Sequence, residues 1–128
     1  MNLLLDTSTF LWIILEAPDL SDHARELFTD PINEVYLSAV STWEISIKHG
    51  LGKLPLPETP EKFIPAQRER HGIAPLPLHE EATLYLNRLP AYHRDPFDRM
   101  LICQAIVHGM TILTTDNLIS QYPVRSIW

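Results

Sequence analysis

The chain predicts an α/β domain, a three-layer α/β/α sandwich around a central, mostly parallel sheet. Three observations lead there. Short continuous apolar runs such as NLLL, the pattern of strands buried on both faces, alternate with longer segments of helical spacing. That strand–helix alternation implies right-handed crossovers between parallel strands. Four acids also stand at equivalent places: Asp6 and Asp116 close strand-like runs, and Glu44 and Asp98 fall in the first turn of helix-like runs. In a parallel α/β fold those ends share one edge of the sheet, where such folds place their sites. The 128 residues form a single expected domain, 1–128, without internal repeat or low-complexity tract.

The elements follow in order. NLLLD is the first expected strand and TSTFLWIILE the helix after it. Ser21-Asp22 is expected to cap a second helix, DHARELF, with Leu27 and Phe28 on its apolar side. EVYLSA, rich in β-formers, is a second strand. The next helix is expected from about Ser41 to His49, ending at Gly50, with Gly52 turning the chain away. In the proline-rich middle, Pro55 and Pro57 mark a loop, and Pro60 and Pro65 bracket or kink a helix around EKFIPAQRER. GIAPLPL is a short strand, placed at a sheet edge by its prolines. HEEATLYLNRL has helical spacing with Ala82, Leu84, Tyr85 and Leu89 directed inward. A final helix is expected from Pro96 to His108, closed by Gly109, followed by strands in MTILTTD and YPVRSIW.

Composition is that of an ordinary soluble protein, 45% hydrophobic and 20% charged. The one cysteine, Cys103, excludes an internal disulfide framework, suits a reducing cytosol, and lies in an apolar stretch that assigns it to packing. No signal peptide and no transmembrane run is legible, so a cytoplasmic protein without membrane attachment is expected. The net charge of −6 argues against a broad phosphate-binding surface, although half of the basic residues cluster between Lys48 and Arg70. A bound cation would offset part of the acidic balance locally.

Each acid has a structural alternative. Ser41-Thr42-Trp43-Glu44 matches a capping box, and Glu44 stands four residues before Lys48, a favourable helix ion pair. Asp95-Pro96-Phe97-Asp98 reads as an N-cap, a proline at the first helical position and an acid in the first turn. Asp116 suits a turn. Asp6 has the weakest capping explanation, because it ends an apolar strand where an unpaired carboxylate is costly. Caps contribute about 1 kcal/mol and uncharged residues supply them equally well. Clustered carboxylates, by contrast, repel by ~4 kcal/mol per pair at ~4 Å and an effective dielectric of ~20. A hard divalent cation is the simplest reason to assemble them, which makes a metal-dependent hydrolase the leading reading.

Competing chemistries find little support. The six histidines are scattered without H-E-x-x-H spacing, and a single cysteine does not suit a structural zinc site. Neither a G-x-S-x-G elbow nor a glycine-rich phosphate loop is present. Trp12, Trp43 and Trp128 are assigned to packing.

LLLDTSTFLW, SAVSTWEISIKHGLGKL, HRDPFDRMLICQA and ILTTDNLISQYPV occur in that order along essentially the whole chain. With these segments the chain resembles the PIN-domain ribonucleases of the VapC toxin type. The resemblance implies that Asp6, Glu44, Asp98 and Asp116 bind Mg²⁺, for which Mn²⁺ substitutes, and catalyse RNA cleavage by an activated water. Asp95 is then an additional ligand or a supporting acid, and Thr7 and Thr115 orient carboxylates or water. It also implies a homodimer and a cognate antitoxin. The antitoxin is expected to place a cation among the carboxylates and apolar side chains in a groove formed by Phe10, Leu11 and Ile14 with Trp43 and Ile47. The rival readings are a catalytically silent interaction module of the same fold and a Mg²⁺-binding phosphoacceptor domain; the second lacks a suitably placed lysine.

Overall fold

A computed structural model describes residues 1–128. Five strands form the sheet: β1 Asn2–Leu5, β2 Glu34–Ser38, β3 Ala74–Leu76, β4 Thr111–Leu113 and β5 Arg125–Ile127. Their order is β3-β2-β1-β4-β5 and every neighbouring pair is parallel. Six α-helices accompany them: α1 Thr7–Ile14, α2 Asp22–Thr29, α3 Ala39–Gly50, α4 Pro60–Arg70, α5 Glu80–Tyr85 and α6 Pro96–His108. The chain starts at the central strand, builds outward to β3, then returns to the other side of β1 as β4. The strand order therefore reverses between β1 and β4, and a crevice opens beyond their carboxyl ends.

Side chains alternate across the sheet. Leu4 and Ile112 join Leu101, Ile102 and Cys103 of α6 in one core. Leu3, Leu5 and Leu113 join Phe10 of α1, Ile45 of α3 and Ile64 of α4 in the other. All three leucines of β1 are fully buried, which is why NLLL carries no polar alternation. Proline-bearing β3 is at an edge, as expected from a residue that cannot donate to a sheet ladder. Cys103 is fully buried, and that burial pushes its thiol further from ionisation.

Helix ends follow local chemistry. Ser21 caps α2, accepting from Ala24 N at 2.9 Å, and Asp95 caps α6 ahead of Pro96. The carboxyl end of α6 closes on Gly109 at φ 66°, a left-handed conformation that costs glycine little. Three expectations change. α3 begins at Ala39 because Ser38, the last residue of β2, accepts from Val40 N at 3.0 Å. Ser41 therefore lies inside the helix and the S-x-x-E capping box does not form. α5 gives way at Leu86 to a 3₁₀ turn through Arg88, and Leu84 faces solvent at 68% exposure rather than inward. The end of α3 is as expected, with Gly50 its last residue, Leu51 its cap and Gly52 taking the left-handed turn. Phe10, expected on the surface of α1, is fully buried. No helix is long and apolar enough to cross a membrane.

Candidate metal centre

Asp6 stands immediately after β1, in the crevice between β1 and β4. It caps α1 through Oδ1, which accepts from Thr9 N at 2.8 Å, so the first acid has a structural duty as well. Its Oδ2 accepts from Thr114 Oγ1 at 2.5 Å. Burial raises its pKa above the ordinary value, the Thr114 and Thr9 hydrogen bonds oppose that, and the charge of Asp116 adds to it.

Glu44 projects from α3 and is 5% exposed. Its Oε1 accepts from Thr7 Oγ1 at 2.7 Å, and its Oε2 from Lys48 Nζ at 2.5 Å, the ion pair expected from the four-residue spacing. Ser41 Oγ lies 3.0 Å from Thr7 Oγ1. A chain of hydroxyl contacts therefore fixes the carboxylate before any ligand arrives. The contact with Glu44 raises the pKa of Lys48 and keeps its ammonium charged.

Asp98 occupies the first turn of α6, while Asp95 is committed to capping it through Phe97 N at 2.8 Å and Asp98 N at 3.3 Å. The carboxylate of Asp98 accepts no comparable hydrogen bond; its nearest partner is His93 Nε2 at 3.2 Å. Burial first, then the negative charge of Asp95, with further contributions from Asp6 and Glu44, pushes its pKa up to about 7 against the pull of His93. Asp116, beyond β4, accepts from Leu118 N at 2.8 Å through Oδ1 and contacts His93 Nε2 at 2.8 Å through Oδ2.

The five carboxylates Asp6, Glu44, Asp95, Asp98 and Asp116 line one cleft of about 350 Å³ with no hydrophobic lining residue and with Lys48 as its only basic one. The donor set is all hard oxygen, the type that Mg²⁺ and Mn²⁺ prefer. A half-buried carboxylate without backbone donors, set among other carboxylates, is the arrangement a divalent cation would stabilise. The residues present fit such an ion.

Three participants escaped sequence reading. His93 connects Asp98 and Asp116 although no histidine motif marks it. Thr114, not Thr115, supports Asp6; Thr115 lines the cleft but is exposed and forms no hydrogen bond with an acid. Lys48 enters the cleft itself. The proposed groove is also altered. Phe10 belongs to the core, whereas Leu11 and Ile14 are half-buried, Trp43 is 58% exposed and stacks edge-to-face on Phe97 at 5.1 Å, and Ile47 is 38% exposed. The exposed apolar surface is the outer face of α3.

Comparison with known proteins agrees with this architecture. The chain is 38% identical over 69 residues to Ribonuclease VapC16 of Mycobacterium tuberculosis, a match covering 54% of this chain and 49%, about half, of that relative. The structure of VapBC2 from Rickettsia felis, bound to a DNA fragment from their promoter, matches with a TM-score of 0.73 at 17% identity, over 99% of this chain and 98% of that one. DNA-bound VapBC of Salmonella typhimurium matches with a TM-score of 0.71 at 20% identity, over 99% and 97% of the two chains. At those identities the structural likeness concerns the fold. The PIN domain family model spans residues 3–124, and with its parallel sheet and acidic crevice the chain belongs to the PIN domain family.

Proposed function

We propose that the chain is a Mg²⁺-dependent endoribonuclease and the toxin of a toxin–antitoxin pair. The observation that carries the reading is the convergence of Asp6, Glu44, Asp98 and Asp116 from four separate segments into one polar cleft. The partial match to a relative named a ribonuclease, and the fold shared with a solved toxin–antitoxin complex, support it.

Asp6, Asp98 and Asp116 would hold the ion, with Glu44 beside them and Asp95 bound to its capping duty. When bound, Mg²⁺ or Mn²⁺ lowers the pKa of a water and neutralises charge on a phosphoryl oxygen, so no histidine base is required. Thr114 keeps Asp6 aimed into the cleft, and Thr7 holds Glu44. Lys48, the one basic residue lining the cleft and paired with Glu44, would meet the RNA backbone there. Thr115 borders the same opening as a hydroxyl available to water or phosphate.

Inhibition would use the same charge. An antitoxin segment that packs apolar side chains on Trp43, Ile47, Leu11 and Ile14 can deliver an Arg or Lys to the carboxylates. The toxin itself is expected to be a homodimer. Co-expression with the product of a neighbouring small reading frame should give a stable complex that cleaves RNA less than the free chain. A neighbouring product that neither co-purifies nor inhibits removes the toxin assignment and leaves the nuclease assignment to be judged on RNA cleavage alone.

A further inference from the structure

His93, Asp98 and Asp116 bring three potential ligand atoms within 4.8 Å of one another, the arrangement of a mixed nitrogen–oxygen metal site. The hydrogen bonds around the imidazole point elsewhere. His93 Nδ1 lies 3.1 Å from the backbone N of Asp95. A backbone N–H can only donate, so Nδ1 is the unprotonated nitrogen and Nε2 carries the hydrogen. Nε2 then has no lone pair for a cation; it is a donor, 2.8 Å from Asp116 Oδ2 and 3.2 Å from Asp98 Oδ2.

The ring is held firmly in that role. His93 is 8% exposed, and its backbone N–H donates to Tyr122 Oη at 2.8 Å. The Tyr122 hydroxyl in turn donates to Pro90 O at 2.8 Å, and Tyr122 is itself buried. The receiving side is looser: Asp116 stands on the loop after β4 with its side chain 32% exposed, and Oδ2 has no other protein partner than His93.

On the metal-centre reading above, we propose that His93 is not a metal ligand but the positioning residue of the fourth carboxylate, its Nε2–H aiming Asp116 into the cleft and joining the β4 loop to the start of α6. Such a partner sets ligand orientation, and its loss weakens metal affinity by roughly 10–100-fold.

Two conservative variants separate the two ring nitrogens. His93→Gln places an amide N–H near the position of Nε2, whereas His93→Asn offers an oxygen near Nδ1 and nothing to Asp116. Mn²⁺ alone, titrated into RNA-free protein and followed by electron paramagnetic resonance, should bind His93→Gln within about 3-fold of wild type. His93→Asn and His93→Ala should lose roughly 10–100-fold. In EDTA, nitrogen-15 spectra should show Nε2 protonated, and the carbon-13 resonance of the Asp116 carboxylate should move in His93→Asn but not in His93→Gln. Equal Mn²⁺ affinity in the Gln and Asn variants, or a protonated Nδ1, overturns the proposal. If wild type binds no Mn²⁺, the metal-centre reading fails, and the EDTA spectra still decide whether His93 positions Asp116.

Discussion

Asp98→Asn should stabilise the metal-free protein, and only where the wild-type carboxylate is charged. In the fold, Asp98 has a pKa of about 7 against an ordinary 3.8, mainly through burial and the neighbouring acids. An acid with a raised folded pKa releases its proton more readily when unfolded, so its contribution favours folding below about pH 4 and is lost as the pH rises toward 7. The full displacement corresponds to ~4 kcal/mol. With 21% of the side chain open to solvent, screening reduces this, and ~1–3 kcal/mol is a fair expectation. For a domain of this size that is a rise in Tm of roughly 4–12 °C. Thermal melts in EDTA at pH 8 should show the gain, melts at pH 4 should show almost none, and saturating Mg²⁺ should shrink or reverse it by stabilising wild type alone. An Asp98→Asn variant no more stable than wild type at pH 8, or equally stabilised at both pH values, would refute the claim that uncompensated charge is gathered at this site.

The supporting hydroxyls and Glu44 give further tests. Thr114→Val removes the donor to Asp6 Oδ2 and the acceptor of Asp116 N, and should cost ~1–3 kcal/mol in denaturant titrations. Because that donor lowers the pKa of Asp6, the loss should be larger at pH 8 than at pH 4, whereas exposed Thr115→Val should melt like wild type at both. Glu44→Gln keeps an acceptor for the buried Thr7 hydroxyl and Glu44→Ala does not, so Ala should melt lower by ~1–3 kcal/mol. Both should lose RNA cleavage despite their different stabilities, and activity that follows Tm instead would make Glu44 a structural residue.

How much of this was legible depended on whether a residue answers to its neighbours in sequence or across the fold. The DPFD segment sets its own helix start, and α6 runs from Pro96 to His108 as its cap, proline and closing glycine imply. The continuous leucines of β1 announce burial on both faces, which requires helices on each side. Ser38 and Ser41 are both credible caps, and only the length of β2 decides between them. Phe10 lies in TSTFLWII, apolar around most of its circumference, so periodicity does not distinguish its core face from its outer one. Thr114 and Thr115 differ only in which way the chain leaves β4. His93 reaches Asp116, 23 residues away, through a contact that no local pattern encodes.

End analysis of cleaved RNA shows whether the acidic cleft holds a divalent ion that activates water to hydrolyse RNA. Purified wild-type chain should cut RNA in Mg²⁺ or Mn²⁺ and stop in EDTA, leaving 5′-phosphate and 3′-hydroxyl ends. Asp6→Asn and Asp98→Asn, shown to be folded by their melts, should produce no such ends. Cleavage that persists in EDTA, survives in both variants with excess Mg²⁺, or leaves 2′,3′-cyclic phosphates would contradict the account.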